Sequence, residues 1–257
     1  MFKLFLAFVL LAFGASLEGG AAMLVAACES FAIANAKRWR NPYITDGLVA
    51  MWDGIWNAGP GVHDSNITVW NNIIDGTHNM RLYNATVLSN GVSFSGSTSS
   101  YAQSVQSKSV LFSGIPQNPS VPYYEIVMAS RSSATNFRIV HFPNCAVSCG
   151  RYNSYWLFNN QNCSGTGKIT CLYKACQTLS VMGTSIRMDG TSVTRRADNW
   201  WYSAGTQLVL GQDIDGRGSR KNPWDGTLYC LRLYSRKLTA EEVAANHATD
   251  RARFNLT

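Results

Sequence analysis

Charge is scarce in this 257-residue chain: Asp, Glu, Lys and Arg together make up 14% of it, little more than half the share usual in a soluble domain. Glutamate is scarcest, confined to Glu18, Glu29, Glu125, Glu241 and Glu242. That poverty excludes helical bundles, coiled coils and acidic disordered tails. Long apolar runs are missing too. The run from Leu4 to Phe13 is well short of the roughly 20 residues that span a bilayer, so no stable membrane span is expected. No paired C-x-x-C occurs, and His63, His78, His141 and His247 do not approach one another in sequence, which argues against zinc. No G-x-S-x-G elbow presents a nucleophile. Ser164-Gly-Thr-Gly-Lys168 hints at a phosphate loop. Asn162 replaces the first glycine, however, and Ile169 stands where Ser or Thr would bind magnesium, so the segment reads as a turn.

What is present favours a large core and an extended backbone. Hydrophobic residues make up 46% and aromatics 12%. The formal charge of +7, from 22 basic and 15 acidic residues, raises the question of an anionic partner. The basic residues fall only in short clusters such as Lys37-Arg38-Arg40 and Arg195-Arg196, and no nucleic-acid signature accompanies them; nucleic acid is not an expected partner. Seven cysteines occur, five of them (Cys145, Cys149, Cys163, Cys171, Cys176) within 32 residues. This is a density that suits disulfides and an oxidising compartment. Cys230, in an apolar strand, reads as a small buried hydrophobe.

Residues 1–40 form a separate segment. One lysine, an apolar stretch and the small residues Gly14-Ala15-Ser16 resemble a secretory signal peptide. The alternative is an amphipathic helix from Ala21 to Arg40 that packs on a partner or on the domain. Residues 41–257 make the body. There, short apolar segments alternate with Gly, Asn, Asp and Ser, the punctuation of an antiparallel sandwich. About ten strands are expected: Leu48–Trp52, Gly91–Phe94, Tyr123–Ala129, Phe137–Phe142, Tyr155–Phe158, Gln177–Met182, Ile186–Met188, Thr191–Arg195, Gln207–Gly211 and Gly226–Tyr234. Asp189-Gly190 supplies the turn of a two-residue hairpin. One helix is announced by Thr239 as N-cap and Glu242 three residues on, a capping box before Ala240–Asn246.

The segments Gly47-Leu-Val-Ala-Met-Trp-Asp-Gly54, Gly91-Val-Ser-Phe-Ser-Gly96, Leu208-Val-Leu-Gly211 and Gly226 to Glu242 resemble the laminin G-like domains of the concanavalin A-like lectin and glucanase superfamily. Most specific is Arg232-Leu-Tyr234-Ser-Arg236-Lys-Leu238-Thr239-Ala-Glu241-Glu242, which follows the family's Arg-x-Tyr-x-Arg-x-Leu-Thr-x-Glu-Glu pattern. The resemblance implies an all-β, two-sheet antiparallel jelly-roll sandwich over roughly residues 45 to 256. It also implies a carbohydrate- or protein-binding module of a secreted, cell-surface or phage structural protein. The cysteine cluster and the amino terminus match no family motif.

Since the superfamily includes glucanases, the carboxylates must be weighed. A retaining glycosidase needs two of them about 5–5.5 Å apart, which on a strand means even spacing on one face. Glu125 has Val127 and Ala129 at those positions, so no catalytic residue is assigned and a hydrolase is the third choice. Sugar recognition needs aromatic faces beside Asn, Asp and backbone groups. Three loops offer them: Asp198-Asn199-Trp200-Trp201-Tyr202; Arg151-Tyr152-Asn153-Ser154-Tyr155-Trp156 with Asn159-Asn160; and Asp213-Ile214-Asp215-Gly216-Arg217 continuing to Asn222-Pro223-Trp224-Asp225. Asp213, Asp215 and Asp225 are candidate ligands for calcium, although the calcium-loop spacing is unmet. Four Asn-x-Ser/Thr acceptor patterns occur, at Asn66, Asn84, Asn162 and Asn255, and bear on the chain only in a eukaryotic secretory pathway. The leading expectation is a non-catalytic lectin-like module, extracellular, on the cell surface or on a virion, whose partner is a glycan or glycosylated surface. The alternative is an assembly domain whose partners are protein subunits of a virion or surface complex.

Overall fold

The computed structural model describes residues 41–105, 123–131, 136–142, 147–152, 155–158, 161–163, 176–182, 185–189, 191–193, 207–214 and 219–256; residues 1–40 lie outside it. Strands account for about half of the described residues and one helix for most of the remaining regular structure. In chain order it runs β1 (Leu48–Asp53), β2 (Val69–Trp70), β3 (Met80–Tyr83), β4 (Thr86–Leu88), β5 (Gly91–Ser95) and β6 (Tyr101–Ser104). It continues with β7 (Tyr123–Ser130), β8 (Phe137–Phe142), β9 (Val147–Tyr152), β10 (Tyr155–Phe158), β11 (Gln161–Cys163) and β12 (Cys176–Met182). Then come β13 (Ser185–Met188), β14 (Thr191–Val193), β15 (Val209–Leu210), β16 (Asp213–Ile214), β17 (Arg220–Lys221), β18 (Asp225–Tyr234) and one helix, α1 (Ala240–Phe254). All ten expected strands are there. The additional ones are mostly short, two to four residues long, too brief for an alternating pattern to stand out from the sequence.

Two antiparallel sheets stack face to face, giving the expected all-β sandwich. The first is ordered β14-β13-β12-β7-β18-β5-β4, with β1 also on β18; the second is β11-β10-β9-β8-β15-β6-β3-β2. Strand β18 organises the first sheet. Its first half pairs with β5 and its second half with β1, while β7 runs along its other side. A bulge between Leu228 and Cys230 shifts the alternation by one, so Leu228, Leu231 and Leu233 all face the core. The segment reads as apolar at nearly every position because both its faces are covered, the inner by the second sheet and the outer, carrying Cys230 and Tyr234, by α1 and the residues around it; the bulge only resets the alternation by one residue. From the second sheet, Trp70, Met80, Ala102, Phe137, Ile139, Val140, Leu208 and Leu210 meet them. Each large aliphatic, Phe or Met side chain among them contributes about 1.5–3 kcal/mol on burial.

The carboxyl-terminal motif explains itself in space. The Thr239 hydroxyl accepts from Glu242 N at 3.2 Å, and the Glu242 carboxylate accepts from Thr239 N at 2.8 Å, the capping box expected. Helix α1 then lies on the outer face of the first sheet, bringing Val243, Asn246, Asp250 and Phe254 down onto it. There Arg232, fully buried, donates to Glu125 (3.0 Å) and to both oxygens of Asp250 (2.8 and 2.7 Å). Asn246 bridges Glu125 and the Tyr234 hydroxyl, and Arg236 grips Glu242. Cys230 is buried, as expected, and its thiol is free.

Candidate functional site

Glu125, the one sheet glutamate, has no solvent exposure. Its carboxylate is filled by Arg232, Asn246 and Ser180. Burial pushes its pKa up, against the pull of Arg232. A second carboxylate, Asp250, converges on the same guanidinium, but both are sealed beneath α1. The two acids neutralise a buried cation and open onto no groove.

The outer face of the second sheet is built differently. In β3 and β6 the pleat sends Met80, Leu82 and Ala102 inward, so Arg81, Tyr83, Tyr101 and Gln103 project outward. The register carries this row across four strands, Arg81 opposite Gln103, Gln103 opposite Val209 and Val209 opposite His141. Tyr83 and Tyr101 stack with ring centroids 4.4 Å apart and planes 17° from parallel. On the other side of Tyr101, the Arg220 guanidinium lies 3.6 Å from the ring centre and donates to Gln103 at 2.8 Å. Gln103 in turn bonds Gln207. Arg220 thus fastens the β16–β17 hairpin to the sheet through a three-layer stack, a geometry worth on the order of 0.5–2 kcal/mol. Burial raises the Tyr101 pKa, with Arg220 opposing and Tyr83 reinforcing. Arg81 remains exposed beside this stack.

The hairpin's neck is a polar knot. Asp213 lies 2.7 Å from His141 Nδ1 and 3.8 Å from Arg138 Nε, and Asn222 donates to it at 3.4 Å. Burial acts to raise the Asp213 pKa, but His141 and Arg138 outweigh it and the net direction is down. The His141 ring is almost wholly buried, with Nδ1 set 2.7 Å from Asp213 and Nε2 meeting no hydrogen-bond partner among the described residues.

The expected site residues separate accordingly. Trp224 is corrected: it lies in the core at zero exposure, its indole donating to Ser130 at 3.0 Å, and is no rim contact. Its place follows from Gly226, whose missing side chain leaves room for the indole, as a Cβ there would fall 2.1 Å from Trp224 Cζ2. Asn199, Trp200, Trp201, Tyr202 and Asp215 lie outside the described residues. Tyr155 and Trp156 belong to β10 of the second sheet, opposite Tyr152 and Arg151 of β9; their side chains also lie outside the described part. Asp213 is held by His141 and Arg138, and Asp225 by Arg131 at 2.9 Å, so protein cations already occupy two of the three carboxylates proposed for calcium. Among the described residues no group of three or more His, Cys, Asp or Glu could hold a metal.

Comparison with known proteins speaks to architecture. No protein-family model matches the chain, and no curated protein matches it. Among solved structures, the receptor-binding domain of botulinum neurotoxin C/D mosaic serotype superposes with a TM-score of 0.55 at 14% identity, over 80% of this chain and 52% of that one. Trypanosoma rangeli sialidase in complex with the inhibitor DANA gives 0.53 at 13%, over 90% of this chain and 39% of that one. A mutant of that sialidase displaying trans-sialidase activity gives 0.52 at 16%, over 79% and 33%. The likeness is one of fold. This chain spans about two fifths of the first sialidase chain and about half of the toxin domain, and at such identities what is shared is the β-sandwich.

The residues that sequence reasoning passed over are Tyr83, Tyr101, Gln103 and Arg220. The signal was there for the first three: Met80-Arg-Leu-Tyr83 and Tyr101-Ala-Gln-Ser104 both alternate with period two. For Arg220 no local pattern exists, since it acts through a ring 119 positions earlier in the chain.

Proposed function

We propose that this domain is a non-catalytic recognition module that binds carbohydrate on the outer face of its second sheet, within a protein displayed outside the cell, on its surface or on a virion. The observation that carries this reading is the outward row of Arg81, Tyr83, Tyr101 and Gln103 braced by Arg220. It sets the Tyr83 ring, held against Tyr101, beside the exposed Arg81 on the outer face of the second sheet, away from α1. Asn199, Trp200, Trp201 and Tyr202 precede β15 in the chain, and Tyr155 and Trp156 are neighbours on β10 of the same sheet, where successive residues alternate between its two faces; they remain further candidates for contact. Membership of the laminin G-like, concanavalin A-like group is part of this proposal; its support is the carboxyl-terminal motif, in which Arg232, Tyr234, Arg236, Thr239 and Glu242 make the contacts described above. Support for binding without cleavage comes from Glu125 and Asp250, both committed to Arg232. The test is a glycan array followed by titration calorimetry. Tyr83→Ala and Trp200→Ala should each weaken binding of the selected glycan by at least tenfold, while Trp224→Phe should leave it unchanged. Absence of binding across broad glycan classes would sink the reading.

A further inference from the structure

Two of the four acceptor patterns fall on described residues in full, and the fold treats both alike. Asn66-Ile67-Thr68 leads into β2, and Asn84-Ala85-Thr86 links β3 to β4. In each, the asparagine and the threonine are exposed, whereas the middle residue is half-buried and packs against the core. The middle residue pins the backbone, leaving the amide and the hydroxyl two residues on at the surface. The Asn66 side chain makes no hydrogen bond among the described residues, and that of Asn84 makes only a long one of 3.3 Å to Ser99 O. Asn84 also holds a φ of 43°, a turn conformation that asparagine tolerates. Leu82 N donates to Thr68 O at 2.9 Å, so both patterns meet at one end of the β2–β3 ladder.

We infer that Asn66 and Asn84 are acceptor sites for N-linked glycans when the chain passes through a eukaryotic secretory pathway. The co-reactant is a polyprenyl-diphosphate-linked oligosaccharide. The amide Nδ2 forms a bond to the anomeric carbon, the bond from that carbon to the diphosphate oxygen breaks, the amide gives up one proton and the lipid diphosphate leaves. Transfer precedes folding, so the fold decides only whether each glycan can be carried, and two exposed turns can carry them. The consequence is local. Strand β2 is two residues long and forms the edge of the second sheet, and edge strands invite pairing with other chains. Two bulky hydrated groups at its end block that approach, and the one on Asn84 borders Tyr83 and the proposed binding face.

The full chain, preceded by a secretion leader, is expressed in cultured mammalian cells as wild type, Asn66→Gln, Asn84→Gln, the double variant, Thr68→Ala and Thr86→Ala. Each is compared before and after peptide-N-glycosidase treatment, with mass spectrometry of the peptides holding the two asparagines. Each single variant should lose one glycan relative to wild type, and the threonine variants should match their asparagine counterparts. Unmodified Asn66 or Asn84 in the peptides of the secreted wild-type chain overturns the assignment for that residue. Threonine variants that keep the glycan overturn it as well.

Discussion

At the residue scale the buried guanidinium of Arg232 decides most. Taking a cation and two carboxylates out of water is costly, and the arrangement persists because every partner is filled. Glu125, Asp250, Asn246, Ser180 and Tyr234 form one closed hydrogen-bonded set around it, with Tyr43 stacked 4.0 Å from the guanidinium. Removing the cation leaves two acids without a counter-charge. Arg232→Ala should therefore destabilise the domain by about 3–5 kcal/mol, read by urea denaturation, and a loss below 1 kcal/mol would show that the acids find other partners. The sequence made Arg232 visible as the one charged residue of an apolar strand. It did not show that Glu125, 107 positions away, answers it.

At the element scale, helix α1 stands on its cap. Glu242 serves twice, as the return arm of the capping box and as the partner of Arg236. Arg236 holds the Glu242 carboxyl down at about 2. A carboxyl with a depressed folded pKa stabilises the native state at pH values above its unfolded pKa, and that contribution fades as pH falls through the folded value. Thermal stability should therefore decline between about pH 4.5 and pH 2, and Glu242→Gln should flatten that part of the profile. Thr239→Ala should cost about 1 kcal/mol by removing one end of the box; circular dichroism melts report both. The cap was legible in sequence because capping is local, all its atoms lying within four residues. Hairpin β16–β17 was not legible. Its neck depends on Asp213 meeting His141 and Arg138 of β8, and nothing near Asp213 in the chain announces them, so the aspartates suggested calcium instead.

Across the whole molecule, the two sheets differ, among the described residues, in what lies on their outer faces. The first is closed by α1; the second carries the aromatic and polar row on its outer side. A chain ending at Leu238 should lose more than a helix. Val243 and Phe254 would no longer be buried, at about 1.5–3 kcal/mol each, and Arg232 would face water with half its partners gone. We expect it to bind a hydrophobic dye and to melt without a cooperative transition; a sharp transition near that of the full chain would show the sandwich to be self-sufficient. The all-β class, ten of the strands, the hairpin turn and the capped helix were determined by the sequence itself, because alternation, turn chemistry and capping are written in neighbouring residues. Only the tertiary structure decided that Trp224 belongs to the core, that Glu125 is a counter-ion, and that Tyr83, Tyr101 and Arg220 form one stack. Those outcomes depend on strand register and on contacts between residues far apart in the chain, and no window of sequence contains both partners.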